Sequence, residues 1–349
     1  MSEASDKIIK QTNDMPNYEA LVSDIGLLMT KARSALVREI NSQLVQTYWK
    51  IGERIVLFEQ KGNNKAQYGS ALLRRLSHDL TLHYGKGFSL SNVTKMRKFY
   101  LAFPTLQTVS AKLSWSHYVE LLKSDDNLEI TFYTKECEAG GWSVRELKRQ
   151  MDSMLFHRIA LSKDKEGIIE LSRKGAEVVK AEDLAHDPYV LEFIDLPQLP
   201  QYKESDIEEA IANNLSRFML ELGRGFAFVG RQYRITLGGR HLYVDLVFYN
   251  VILKCYVLID LKRNEVQHED IGQMNLYLNY FKNEVCTDGD NEPVGIVIGA
   301  KHDQLTMQYA LEGISNQLFV SRYQFYLPQR EELERELRLI IENKQLNTN

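Results

Sequence analysis

The sequence predicts two folds in series: an all-α N-terminal domain, then an α/β domain whose mixed sheet is flanked by helices. Three observations carry this. From Tyr18 to Phe103 apolar residues recur every three or four positions, the period of a helix face. Between Tyr243 and Lys262 the period falls to two, over two runs rich in Val, Leu, Ile and Tyr. After Ser205, helical and extended patterns alternate in the order α-β-β-β-α-β-α-β-α.

Composition sets the bounds. A chain of 349 residues can bury two cores. With 44% apolar and 26% charged residues it has a globular composition, which argues against disorder. The net charge of −4 excludes a polycation, so any nucleic-acid surface must be local. Cys137, Cys255 and Cys286 lie far apart without a C-x-x-C pair, which argues against a zinc site or disulfide framework and fits a reducing cytoplasm. The first residues lack a signal-peptide core and no apolar run reaches membrane-spanning length, so a membrane is not an expected partner.

The elements follow in order. Residues 1–16 read as a polar lead-in. Tyr18 to Glu59 is helical, with Leu21, Ile25, Leu28, Ala32, Ala35 and Ile40 continued by Leu44, Tyr48, Ile51, Ile55 and Phe58; KGNNK (61–65) breaks the run. A helix over Tyr68–Tyr84 carries Leu72, Leu73, Leu76 and Leu80. Gly85-Lys86-Gly87 turns the chain, and Ser91 suits the N-cap of a helix that Pro104 stops. Helix, glycine turn, helix is a helix-turn-helix-like pair. From Lys61 to Lys112 there are nine basic residues against one acidic, Asp79, a local charge of +8. Asn92, Lys95 and Lys98 are placed to face a duplex groove, with Arg97 in the same basic run. The other reading of these residues is a solvated helical face.

Helices over Trp115–Lys123 and Ile130–Ala139 come next, then one opened by the capping box Ser143-x-x-Glu146 and running to about His157. A charged stretch and the prolines Pro188, Pro197 and Pro200 then interrupt the pattern. The domains expected are thus 18–160, helical, and 186–345, α/β, with a connector over 161–185. In the second, a helix over Ser205–Leu222 ends at Gly223, a strand covers Phe226–Leu237, and Gly238-Gly239 makes a hairpin turn. Beyond the next two strands come a helix over His268–Phe281, a strand over Val294–Ile298, a helix over Gln304–Ile314, a strand over Leu318–Tyr326 and a helix over Glu331–Glu342.

Chemistry concentrates in YVDLVFYNVILKCYVLIDLK, Tyr243 to Lys262. Alternation sets Leu242, Val244, Leu246 and Phe248 on one face of the first strand and Tyr243, Asp245 and Val247 on the other. With the turn centred on Val251 and Ile252, Asp245 lies opposite Leu258 and diagonal to Asp260, and Lys262 follows on the same face. Carboxylates on an apolar sheet are costly unless paired or bound to a cation. Two readings stay open: a buried ion pair, or a divalent-metal site in which Asp245 and Asp260 hold Mg²⁺ and Lys262 orients or deprotonates a water. Glu208, on the apolar stripe of the preceding helix with Ile211, Leu215, Phe218 and Leu222, is preferred to Glu209 as a third acid, although Ser205-x-x-Glu208 is itself a capping box. Gln273 and Tyr277, four apart on one helix face, would reach a phosphate or base beside such a site.

Helix Glu, strand Asp, Asp-x-Lys on the next strand and a helix with Gln-x-x-x-Tyr resemble the PD-(D/E)xK nuclease superfamily. The stretches ELGRGFAFVGRQYRI, YVDLVFYN and GQMNLYLNYF are similar to the nuclease domain of its bacterial YhcG-type family. YWKIGERIV, YGKGFSLSNVTKMRKFYLAFP, LSWSHYVELL and GWSVRELKRQ are similar to that family's helical N-terminal domain. The resemblance implies a restriction-endonuclease-like fold and a metal-dependent nuclease. Asp245 and Asp260 would be metal ligands with the carbonyl of Leu261, Lys262 would serve the attacking water, and Glu208 would complete the acidic cluster. It implies Mg²⁺, with Mn²⁺ as a substitute, and nucleic acid as partner, DNA ahead of RNA. The N-terminal helices would hold the substrate, Arg263 would touch phosphate, and two copies would be able to pair. Two departures stand out: Asp at position 260, where many relatives carry Glu, and Val244 in place of the proline that names the superfamily. The alternative is a catalytically inactive nucleic-acid-binding or assembly module on the same fold.

Overall fold

A computed structural model describes residues 18–61, 66–161, 163, 165–194, 203–303, 307, 310–311, 314 and 317–343. The lead-in at 1–16, Pro197, Pro200 and most of the helix expected over Gln304–Ile314 lie outside them. The chain divides into two compact units, Met1–Asp125 and Asp126–Asn349.

The first unit is helical: α1 (Tyr18–Lys61), α2 (Ala66–Tyr84), α3 (Leu90–Ala102) and α4 (Trp115–Leu121). Its core forms around the second half of α1, where Val45, Trp49, Ile55 and Val56 are buried. Earlier in the same stripe, Leu21, Ile25, Leu28 and Ile40 are exposed. Gly52 lets α1 and α3 meet, because a Cβ there would collide with the carbonyl of Met96. Trp49 Nε1 donates to the carbonyl of Phe103 (2.6 Å), and Phe99, Phe103, Trp115 and Tyr118 pack ring on ring. Gly85 and Gly87 are left-handed in the turn between α2 and α3. The N-cap of α3 is Ser89, not the expected Ser91; Ser89 Oγ accepts from the N–H of Asn92.

The second unit opens with α5 (Asn127–Gly140), α6 (Val144–Asp152), α7 (Leu155–Leu161) and α8 (Lys165–Lys174). The Ser143–Glu146 capping box forms as expected, but the helix it opens stops at Asp152, with Met154 left-handed before α7. The expected connector, 161–185, falls inside this unit. Buried Glu221 pairs with Arg158 Nη1 at 2.6 Å and Arg149 Nη2 at 3.2 Å, joining α6 and α7 to the sheet-bearing part of the chain.

That part comprises β1 (Tyr189–Val190), α9 (Glu204–Asn213), α10 (Leu215–Leu222), β2 (Phe226–Leu237), β3 (Arg240–Asn250), β4 (Cys255–Leu261), α11 (His268–Tyr280), β5 (Val294–Gly299), β6 (Leu318–Gln324) and α12 (Arg330–Asn343). Among the described residues the strands form one mixed sheet in the order β1-β6-β5-β4-β3-β2. The β2–β3 and β3–β4 pairs are antiparallel; β4–β5, β5–β6 and β1–β6 are parallel. Gly238 and Gly239, both left-handed, close the expected two-residue hairpin. β1 is too short to show a periodic signal in sequence.

β4 is central and buried on both faces, which its unbroken apolar run requires. On one face Val257, Ile259 and Leu261 pack with Ile207, Ile211, Phe218 and Leu222 of α9 and α10. On the other, Leu258 and Val297 pack with Ile271, Met274, Tyr277 and Leu278 of α11. Each fully buried aliphatic or aromatic side chain contributes about 1.5–3 kcal/mol of transfer free energy. The glycine at 295 lets α11 lie close on β5, since a Cβ there would meet Met274.

Candidate active site

The site sits where β3 and β4 run side by side, with Glu208 brought from α9 and Asp270 from α11. Their register is two residues from the expected one: Val247 pairs with Leu258 and Leu246 with Ile259, the pair next to Asp245 and Asp260. The turn is longer than expected, with Val251–Lys254 between the strands and Lys254 left-handed at its end. The strand pairing stops one residue short of the two acids, and Asp245 reaches the main-chain N–H of Leu261 beside Asp260. Burial of Asp260 raises its carboxyl pKa to about 7, and the charge of Asp245 adds to the rise.

The alternation expected along β3 breaks at Asp245. Leu246 and Phe248 join the core under α9 and α10, whereas Leu242, Val244 and Val247 join the core under α11. The partner strand is irregular at the same level. β2 shifts register between Phe228 and Gly230, and Gln232, level with Asp245, has a φ of 47°.

Asp245 is tied on both oxygens. Oδ2 accepts from the main-chain N–H of Leu261 (2.8 Å) and Oδ1 from Gln232 Nε2 (3.1 Å). Burial pushes its carboxyl upward, helped by the charge of Glu208 and opposed by the Leu261 N–H, Lys262 and Gln232. Glu208 is the inward acid and Glu209 is exposed. Glu208 is not spent on a helix cap: α9 starts at Glu204, and Asp206 accepts from the N–H of Lys203 (2.6 Å). Glu208 Oε2 accepts from Gln232 Nε2 at 2.7 Å. The helix expected over Ser205–Leu222 is two helices broken at Asn214, so Glu208 and Phe218 belong to different helices.

Lys262 bridges two acids. Its Nζ lies 2.8 Å from Asp260 Oδ2 and 3.4 Å from Asp270 Oδ1 on α11. The first contact is an ion pair without hydrogen-bond alignment, and Asp260 Oδ2 is buried with no partner in hydrogen-bond geometry. Burial lowers the ammonium pKa, but Asp260, Asp270 and Glu204 outweigh it and hold Lys262 protonated. Sequence reasoning missed Asp270, whose capping bond to the N–H of Gln267 (2.8 Å) is the local signal, and it missed Gln232, which no periodic pattern marks.

Among the described residues no three His, Cys, Asp or Glu side chains close on one point in ligating geometry. The donor chemistry nonetheless fits a hard divalent cation: Glu208, Asp245 and Asp260 offer carboxylate oxygens, and Asp260 Oδ2 is buried with the Lys262 ammonium beside it. Leu261 contributes its N–H to Asp245, and its backbone pairs with Ile298 of β5.

Gln273 and Tyr277 share a face of α11 as expected. The Gln273 amide donates to the Tyr277 hydroxyl, which donates to the carbonyl of Tyr243 (2.9 Å). Arg263 is fixed through its backbone: its N–H donates to Glu204 (3.2 Å) and its carbonyl accepts from Tyr323 (2.9 Å). A wide cleft of this unit lies elsewhere, lined by Lys174, Lys301 and Arg322 among others, and contains none of the four candidate catalytic residues.

In the first unit the basic residues are less free than their spacing suggested. Arg97 pairs with Glu59 at 2.7 Å. Lys98 Nζ donates to the carbonyls of Leu122 (2.5 Å) and Ser124 (3.2 Å) and pairs with Asp125 (2.7 Å). Asn92, expected to face a groove, donates to Gly87 and accepts from Trp115 Nε1 at 2.9 Å. Lys95 has no ion pair among the described residues and is half-buried. No described helix is long and apolar enough to cross a membrane.

The chain is similar to known proteins along most of its length. Residues 182–338 match the family described as YhcG PDDEXK nuclease domain, and residues 24–158 match the DUF1016 N-terminal domain. The chain is 38% identical to the Escherichia coli (strain K12) protein named "Putative nuclease YhcG", over 92% of this chain and 93% of that one. Among solved structures, a repair endonuclease from Pyrococcus abyssi aligns over 37% of this chain and 50% of that one, at 22% identity and a TM-score of 0.27. EndoMS in apo form aligns over 38% and 49%, at 18% identity and a TM-score of 0.24. Matched along nearly its whole length, the chain belongs to the YhcG family of PDDEXK nucleases.

Proposed function

We propose that the protein is a Mg²⁺-dependent nuclease that hydrolyses phosphodiester bonds in DNA. The observation that carries the reading is the convergence of Asp245, Asp260 and Lys262 on two neighbouring strands, with Glu208 joined to Asp245 through Gln232. Asp245, Asp260 and the carbonyl of Leu261 would hold the ion, and Mn²⁺ would substitute for it. A bound ion supplies charge neutralisation at the phosphate and lowers the pKa of a water. The chain's own residues do the rest. Lys262, kept protonated by its acidic neighbours, orients and polarises the attacking water as a donor, not as a base. Glu208 completes the acidic cluster. Gln273, Tyr277 and Arg263 position the nucleic acid.

The helix-turn-helix-like pair and the basic run of the first unit hold the substrate, with Lys95 as the phosphate contact; Arg97 and Lys98 do so only by giving up Glu59 and Asp125. Two copies pair to cut two strands, which light scattering on DNA tests. A reducing, cytoplasmic setting belongs to the same reading, since all three cysteines are free thiols.

The test is incubation of purified protein with plasmid, single-stranded and branched DNA, and with RNA, in Mg²⁺, Mn²⁺ or EDTA. Metal-dependent cleavage of DNA, abolished in Asp260→Ala and Asp245→Ala, is the expected result. Cleavage that persists in Asp260→Ala overturns the proposal, and metal-independent binding with no cleavage of any substrate favours a non-catalytic module.

A further inference from the structure

Gln232 stands in mid-strand with a φ of 47°, a backbone region that Gly or Asn occupies more readily than Gln. The residue is exposed, so core packing does not account for it. Its single amide nitrogen donates to two acids at once, Glu208 Oε2 at 2.7 Å and Asp245 Oδ1 at 3.1 Å. These two carboxylates come from different elements, α9 and β3, and the charge of one raises the pKa of the other. Asn would suit the left-handed backbone better but is one methylene shorter, so reach is what the longer amide adds.

We infer that Gln232 is a positioning residue that takes the cation's place at Asp245: its amide holds Glu208 and Asp245 together in the metal-free protein and gives up Asp245 when a divalent ion takes that carboxylate. The inference rests on the metal-site reading above and adds a residue to it. An amide is the right chemistry for the task. It donates to carboxylates without carrying a charge that would compete with the ion, and hydrogen bonds to ionised groups are among the stronger ones. Because the side chain is exposed, it can swing away from Asp245 at little cost once the ion arrives.

The consequence is a thermodynamic cycle between the side chain and the ion. Removing the amide destabilises the metal-free form, where it is engaged with Asp245, and spares the loaded form, where it is not. Ion affinity must therefore rise on its removal, the reverse of what deleting a metal ligand does. The experiment uses the full chain without nucleic acid, titrated with Mg²⁺ and Mn²⁺ by calorimetry and followed by thermal unfolding in EDTA and in saturating ion. The wild type is compared with Gln232→Ala, Gln232→Gly and Asp260→Ala.

Gln232→Ala should lower the unfolding midpoint in EDTA more than in saturating ion and tighten ion binding about tenfold. Gln232→Gly relieves the backbone equally in both states, so its ion affinity should rise alike even where its overall stability differs. Ion binding that is weaker than or equal to wild type in both variants overturns the role of Gln232 while leaving the metal site standing. A wild type that binds neither ion, or an Asp260→Ala that binds as tightly as wild type, overturns the metal site and this inference together.

Discussion

Asp245 accepts a 2.8 Å hydrogen bond from the main-chain N–H of Leu261, the residue that follows Asp260. The acid of one strand is thus fastened to the backbone of the next, immediately beside the second acid. The fastening does not depend on any bound ion. Burial raises the cost of both charges, and the Leu261 N–H offsets part of it for Asp245. Among the described residues Asp260 has no comparable backbone donor and relies on the Lys262 ammonium 2.8 Å from Oδ2.

A pH dependence of stability follows. Burial lifts the Asp260 pKa from 3.8 to about 7 in the folded, metal-free protein. A raised folded pKa means that the native state binds the proton more tightly than the unfolded one. Its contribution is fully present below the unfolded value and is lost as pH rises through the folded value. Between pH 5 and pH 8 the metal-free wild type should therefore lose on the order of 2 kcal/mol relative to Asp260→Asn. Urea unfolding of both proteins in EDTA at the two pH values checks this, and parallel pH profiles would refute it.

Asp270 offers a sharper test of how Lys262 is held. One Asp270 oxygen lies 3.4 Å from Lys262 Nζ and the other accepts the capping N–H of Gln267 at 2.8 Å. Asp270→Asn can keep the cap, since an amide oxygen still accepts, while losing the charge that helps place the ammonium. Cleavage should slow ten- to hundredfold in kcat with KM nearly unchanged. A variant with wild-type kcat would show that Asp260 alone positions Lys262.

Much of this was legible in the sequence, for reasons that particular residues make plain. The apolar run of β4 and the spacing of Asp260 and Lys262 depend only on strand periodicity, and both hold. The Gly238-Gly239 turn was readable because a two-residue hairpin demands left-handed residues. The register was not, because it depends on a turn that spans Val251–Lys254 and closes on a left-handed Lys254, where sequence gives no glycine to mark it. The break of alternation at Asp245 and the role of Gln232 were hidden for a related reason: both arise where β2 leaves regular geometry, and a period of two cannot report its own interruption. The basic run of the first unit shows what a count of charges leaves out. Composition counts Arg97 and Lys98 as free cations, but Glu59 lies 38 residues away in sequence and Asp125 lies 27 away, so their pairing is tertiary.

The two classes of basic residue should separate by experiment. Lys98 closes the carbonyls of Leu122 and Ser124, so Lys98→Ala should cost about 1–2 kcal/mol of stability. Lys95→Ala should leave stability within about 0.5 kcal/mol. If the first unit contacts phosphate, the same Lys95 variant should weaken DNA binding at every sequence and flatten the dependence of log K on log salt by about one. An unchanged salt slope would remove Lys95 from the interface.

The largest single effect on stability is expected at Glu221, which is fully buried on α10. Burial alone would raise its carboxyl pKa, yet Arg158 and Arg149, joined by the N–H of Val190, reverse the sign and hold it below 4.5. Replacing it with Gln keeps the shape and takes the counter-charge from Arg158, which is almost wholly buried, while Arg149 keeps Glu192 at 2.9 Å. Breaking a buried pair from one side costs about 3–5 kcal/mol. A depressed folded pKa contributes stability above the unfolded value of 4.5, and that stability fades as pH falls through the folded value. The gap between wild type and Glu221→Gln in denaturant unfolding should be full at pH 7 and begin to close only below about pH 4.5. A gap that is small at pH 7, or one that does not change with acid, would mean that the arginines find other partners and that this ion cluster does not join α6 and α7 to the sheet-bearing part of the unit.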